Sequence, residues 1–233
     1  MNLARPKDRH EGVQRSANAA EGRGPLARDF EPAPSASIPV RCEVDPTDVA
    51  RAQEYLLLAT LLTRAPLAPL LRQIGALKGD ASPLGMAHLA LADAARASTE
   101  HEAGNEYVRL FIGVGRGEIL PYASYYLTGF LHERPLARLR EDLVRLGIER
   151  SEKVFEPEDH LGSLFEIMAG LINGSFGNAA TDSDAFFARH IQPWAGRLLA
   201  DIAVSPTAKF YRSVGALGLT WLEIETEAMR LPP

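Results

Sequence analysis

The stretch EYVRLFIGVGRGEILPYASYY, from Glu106 to Tyr126, decides how the chain is read. Tyr107, Leu110 and Phe111 fall at the three- and four-residue spacing of one apolar helical face. Gly113, Gly115 and Gly117 then alternate with Val114 and Arg116, which stops the helix and opens backbone conformations closed to other residues. Leu120-Pro121-Tyr122 closes the loop, with Ser124, Tyr125 and Tyr126 close behind. The pattern is a helix, a glycine loop and an aromatic restart in a helical chain. Keeping such a loop ordered is costly, and function often sits there.

Working outward, the helical period continues in both directions. Asp45-Pro46-Thr47 is a cap with proline just inside a helix to about Arg64, where Pro66 ends or redirects it. A short helical piece spans Leu67 to Leu77. Ser82-Pro83 opens another helix to about Ala97, and Thr99 with Glu102 fits a capping box leading into the central stretch. Beyond it, Leu136, Leu139, Leu143 and Leu146 form a stripe that Gly147 is placed to stop. Leu161, Leu164, Phe165, Met168 and Leu171 keep the same period, Asn173 to Asp182 reads as a loop, and Pro193 bends or restarts a helix carrying Phe186, Phe187, Ile191 and Trp194. Ser205-Pro206 opens the last helix, with Phe210, Tyr211 and Trp221. These aromatics are assigned to the core. No segment alternates with period two, so the expectation is an all-α fold of eight or nine helices without a sheet.

Residues 1–44 are rich in proline, glycine, serine and charge without apolar period, and are expected to be a disordered extension ahead of one helical domain over 45–233. With 46% hydrophobic and 24% charged residues in 233, the chain has ample material for a core. A formal charge of −5 argues against nucleic acid as main partner. A single cysteine excludes an internal disulfide framework and favours a reducing compartment. The N-terminus has neither a secretory pattern nor paired arginines, and the longest apolar run, Tyr55 to Leu62, is too short to span a bilayer, so the expected location is the cytoplasm.

Several chemistries fail on spacing. GVGRG is neither the dinucleotide fingerprint nor a Walker A loop, and no strand precedes it. It remains either a helix-breaking loop or a partner-binding surface. His101-Glu102 is followed by Asn105, not a second histidine, and no histidine pair stands at i and i+4, so no metal is expected. Gly174-Ser175-Phe176-Gly177 is one residue short of a nucleophile elbow. Glu156-Pro157-Glu158-Asp159-His160 reads two ways. It is either an acidic first helical turn with proline at its start, or a surface on which a neutral His160 among carboxylates contacts a basic peptide.

Taken together, Tyr107-Val108-Arg109-Leu110-Phe111, the glycine loop and Leu120-Pro121-Tyr122-Ala123-Ser124 resemble the first signature of the TorD/DmsD/NarJ-type chaperones. Glu156-x-x-Asp159-His160 resembles their second, and the resemblance runs over about residues 50 to 229. It implies a non-enzymatic, cytoplasmic, TorD-like chaperone that needs no cofactor of its own. Its partner would be an apo-molybdoenzyme catalytic subunit or its twin-arginine signal peptide, held until molybdopterin is inserted. It also implies a client site at Pro121, Tyr122, Ser124, Glu156, Asp159 and His160, in a monomer or domain-swapped dimer. Val114 and Ala123 depart from the family, which often has proline at the first position and an acidic residue at the second. Two other classes fit the residues: a helical adaptor without a cofactor link, and a nucleotide hydrolase using the glycine loop.

Overall fold

The computed structural model describes residues 30–32, 45–151, 156–176 and 179–230. In chain order they form β1 (Phe30–Pro32), α1 (Pro46–Thr63), α2 (Ala68–Gly75), α3 (Pro83–Arg96), α4 (Glu100–Tyr107), α5 (Ala123–Thr128), α6 (Arg134–Leu146), β2 (Ile148–Arg150), α7 (Leu161–Ile172), α8 (Ala179–Phe186), α9 (Ala195–Val204) and α10 (Phe210–Ala228). The fold is all-α, as expected. Among the described residues ten α-helices stand where eight or nine were read, the added one being the short α5.

Local chemistry sets the early helix starts. Asp45 accepts the Thr47 N–H at 2.7 Å, Ser82 accepts the Gly85 N–H at 3.1 Å, and Thr99 and Glu102 complete a reciprocal capping box. Each satisfies amides that a helix leaves unpaired in its first turn. At the other end of α6, Gly147 takes the left-handed conformation with φ 66°, which glycine adopts without a Cβ clash.

The core is organised on α7. All twelve of its residues are buried, so it is a central helix and not the one-sided helix its period implied. It packs most extensively against α1, and Gly162 makes the approach possible: a Cβ there would sit 2.5 Å from Thr63 Cγ2. Around this pair, α10 packs on α9 and α3, α2 on α3, α8 on α7, and α5 on α6. Phe186, Phe187, Trp194, Phe210, Tyr211 and Trp221 are all buried in that core. Tyr107 and Phe111, 5.2 Å apart between ring centroids, both pack on Tyr211.

Four expectations change. The acidic run before α7 is not its first turn: the helix begins at Leu161 with His160 as N-cap, and Pro157 lies in the turn before it. The last helix begins at Phe210 instead of Ser205, because Ser205 closes a turn through Thr207 and Ala208. Helix α8 takes up part of the loop expected over Asn173 to Asp182. The fold also holds one ribbon, β1 antiparallel to β2, three residues on each strand. The expectation of disorder over residues 1–44 falls outside the described residues apart from Phe30–Pro32. Among the described residues no helix is long and apolar enough to cross a membrane.

Candidate client-binding site

The glycine loop is reached through a change of helical pitch. Helix α4 runs on as a π-helical turn, Val108–Ile112, closed by the Gly113 N–H to the Val108 carbonyl at 2.6 Å. Such turns are rare and often mark functional sites. Gly113 has φ 63°, and a Cβ on it would meet the Arg116 carbonyl oxygen at 1.9 Å, so only glycine fits this corner. The chain then doubles back. The N–H groups of Glu118 and Ile119 donate to the carbonyls of Arg109 and Leu110, at 3.2 and 2.8 Å. The loop is therefore a reversal laid against its own helix, not a cradle leading into a following one.

The reversal delivers Pro121-Tyr122-Ala123 beside Asp159-His160-Leu161. Ala123 N–H donates to the Asp159 carbonyl at 2.9 Å and Leu161 N–H to the Pro121 carbonyl at 2.8 Å, an antiparallel bridge centred on Tyr122 and His160. The two aromatic rings meet edge to face, 5.3 Å between centroids. The two sequence motifs are thus stitched into one structure by backbone hydrogen bonds.

Each named side chain has a separate task. Asp159, 1% exposed, accepts the Ser124 N–H at 2.8 Å and so caps α5, whose own N-terminal residue gives no side-chain cap. Ser124 is fully buried. Pro121 is buried as well. His160 accepts the Gly162 N–H on Nδ1 at 3.0 Å, and burial lowers its pKa from 6.5 to about 4. The ring is therefore neutral near pH 7 with its proton on Nε2, a donor without a partner among the described residues. Tyr122, half-buried, donates its hydroxyl to the exposed Glu156 carboxylate. Burial first, and then Glu156, push the Tyr122 hydroxyl well above its ordinary range, so it stays a donor. Glu158 is not free to meet a ligand, because Arg140 binds it at 2.8 Å and Arg150 at 3.5 Å.

Of the six expected residues, Tyr122, Glu156, His160 and Pro121 line one pocket of about 110 Å³, together with Thr63, Tyr107, Phe111, Ile112 and Ser163. Ser124 does not. Asp159 turns to the other side of the bridge, into a second pocket of about 130 Å³ with Ala123, Leu127, Arg138 and Arg189. Ser124 and Asp159 are buried, and Asp159 holds the bridge in place through its carbonyl and the start of α5 through its carboxylate. The position held by Ala123, where an acidic residue is common in the resembling family, is buried and on the Asp159 side.

Sequence reading missed Ile112, which is 56% exposed at the pocket's edge beside Val108 at 49% and Val114 at 108%. A signal was there: Val108 and Ile112 are four apart, a second apolar stripe on the face opposite Leu110.

The described residues form an all-α bundle that stitches two distant loops into a side-chain-sized pocket of mixed polar and apolar lining, with Glu156 exposed beside it. The chain belongs to the nitrate reductase delta subunit family, which its residues 77–200 match. It is similar to the chaperone protein TorD of Vibrio cholerae serotype O1, 24% identical over 137 residues, covering 55% of this chain and 62% of that one. It is similar to the TorD chaperone of Aliivibrio fischeri, 25% identical over 144 residues, 57% of this chain and 66% of that one. The Vibrio vulnificus TorD chaperone is 30% identical over 79 residues, 33% of this chain and 37% of that one. The chain spans less than two thirds of the length of these curated relatives.

Proposed function

We propose that this protein is a non-catalytic maturation chaperone of the molybdoenzyme class, acting in the cytoplasm on an apo-enzyme catalytic subunit or its twin-arginine signal peptide before molybdopterin is inserted. Family membership and the TorD relatives support the class. The observation that carries the site is the Tyr122–His160 bridge, which sets a carboxylate, an unpartnered imidazole N–H and exposed Ile112 around one pocket. A basic, extended segment with neighbouring apolar residues matches that arrangement. Glu156 draws the charge in, His160 Nε2–H meets a backbone carbonyl, and Ile112 with Val108 covers apolar side chains. At about 110 Å³ the pocket has room for one side chain of such a segment.

The test is a titration of a purified apo-molybdoenzyme catalytic subunit, and separately of its twin-arginine peptide, against the protein and its Glu156→Gln and Tyr122→Phe variants. The proposal expects weaker binding by both variants with an unchanged helical spectrum. Equal affinity for all three proteins overturns the site, and no affinity of the unaltered protein for either ligand overturns the function.

A further inference from the structure

Two buried polar groups in the pocket beside Tyr122 lack a hydrogen-bond partner among the described residues. His160, 5% exposed, keeps its Nε2–H free because Nδ1 already accepts the Gly162 N–H at 3.0 Å. Three residues on, in the first turn of α7, Ser163 is 2% exposed and its hydroxyl is unpaired. A serine in a helix can return its hydroxyl to the carbonyl four residues back, but the Asp159 carbonyl already accepts the Ala123 N–H at 2.9 Å. Thr63 is the contrast in the same pocket, since its hydroxyl donates to the Ala59 carbonyl at 2.9 Å. Buried polar side chains are hydrogen-bonded in the large majority of cases, and an exception calls for an explanation. Here both exceptions line one pocket of about 110 Å³.

The surroundings decide which ligand group suits them. An apolar side chain in the pocket would seal off the Ser163 hydroxyl without a partner, which is unfavourable. A cation would lose its hydration against the start of α7, where the helix dipole is positive and the first turn holds no acidic residue. The Asp159 carboxylate gives no relief, because it accepts the Ser124 N–H on the other side of the bridge. Glu156 is exposed, so a basic residue reaches it without entering. An anion would meet that same Glu156 and lose its hydration too. What remains is a neutral group able to donate and accept.

We infer that Ser163 is a specificity-determining residue of this pocket, and that the side chain it selects is neutral and hydrogen-bonding, a hydroxyl or a carboxamide. A serine hydroxyl rotates to suit either, donating to a carboxamide oxygen or accepting from an N–H or O–H. A site that hydrogen-bonds a ligand group rejects the apolar isostere strongly, because its own buried groups are then left unpaired. In the bound segment Glu156 meets the basic residue, His160 a backbone carbonyl, and Ser163 the side chain that enters between them. The identity of that segment rests on the client reading; the selectivity of the pocket does not.

The first arm of the experiment needs no client. Propionamide, propionate and methylguanidinium, similar in size and different in charge, are titrated into the isotopically labelled full chain while the Gly162 and Ser163 amide resonances are followed. Propionamide is expected to bind about fivefold more tightly than either ion, and Ser163→Ala to erase that advantage. The second arm uses the twin-arginine peptide of an apo-molybdoenzyme with Thr and then Val placed at each position in turn. One position is expected at which Thr binds about fivefold more tightly than Val to the unaltered chain and equally to Ser163→Ala. Equal binding of the three small probes, or a Thr preference that persists in Ser163→Ala, overturns the inference. A peptide that binds in no form, with the propionamide preference intact, removes the client reading and leaves the selectivity of the pocket standing. A peptide that binds without any preference dependent on Ser163 does the reverse.

Discussion

Asp159 caps a helix to which it does not belong: its carboxylate accepts the Ser124 N–H at 2.8 Å across 35 positions of sequence. The same residue's backbone carbonyl takes the Ala123 N–H, so Asp159 satisfies two of the first amides of α5. This arrangement puts Tyr122 on its neighbour's far side, against His160.

Replacing Asp159 with alanine is therefore expected to cost about 1–3 kcal/mol of stability, the price of leaving a buried amide unpaired. Asp159→Asn, which keeps an acceptor oxygen, should lose less. Urea denaturation of both variants checks this. The site follows from the stability result: client binding should fall in Asp159→Ala because the bridge loosens, and should largely survive in Asp159→Asn. Equal binding loss in both, with no stability loss in either, would instead mean that the carboxylate touches the client.

Glu106 does the same for α10. Buried at 7%, its two oxygens accept the N–H groups of Lys209, Phe210 and Tyr211 at 2.8, 3.1 and 2.7 Å. A carboxylate at a helix N-terminus also meets the positive end of the helix dipole. Glu106→Ala is expected to lower stability by about 2–3 kcal/mol, with Glu106→Gln intermediate, read as shifts in the urea midpoint at unchanged slope. Because Glu106 opens the stretch that leads to Tyr122, the alanine variant should also speed hydrogen exchange in both α10 and the π-helical turn.

These two carboxylates mark what was and was not legible in the sequence. Asp45, Ser82 and Thr99 with Glu102 cap the helices they precede, so residue type and spacing reveal them. Gly147 is legible for the same reason. Glu106 and Asp159 cap helices 103 and 35 positions away, and no local pattern records such a partner. For the acidic run ahead of α7 the local rule offers a first helical turn as one of two readings. In the structure Glu158 serves Arg140 and Arg150, Asp159 serves α5, and His160 is left as the cap. The site shows the same division. Tyr122, Glu156 and His160 were brought together by resemblance of two motifs, while the inward turn of Ser124 and Asp159 depends on which face of a tertiary bridge each occupies.

His160 gives the site a pH dependence of defined sign. Its pKa in the folded protein is about 4, below the 6.5 of an unburied imidazole, because burial disfavours the charged ring. Between those values the unfolded chain binds a proton that the folded one does not, so stability is full above pH 6.5 and falls as pH drops toward 4. The loss over that window is on the order of 3 kcal/mol. His190, also lowered chiefly by burial, adds to the fall, while His88, raised by Glu54, works against it. Comparison with His160→Asn isolates the single residue, since asparagine keeps a capping oxygen and does not titrate. Denaturation at a series of pH values should show a shallower acid loss in the variant. Parallel curves would assign the loss to other groups.

The exposed face of the π-helical turn separates binding from folding. Ile112 is 56% exposed and lines the pocket, so Ile112→Ser should change stability by less than about 0.5 kcal/mol. Val144, 80% exposed on α6 and outside that pocket, is the control for removing surface apolar area as such. Burying an isoleucine side chain against a ligand is worth about 1.5–3 kcal/mol at most, so Ile112→Ser should weaken client affinity by roughly tenfold or more while Val144→Ser leaves it alone. Combining Ile112→Ser with Glu156→Gln tests whether apolar and acidic contacts meet the same ligand segment. Additive losses place them on separate parts of the client, and a double-variant loss smaller than the sum places one basic-apolar segment across both.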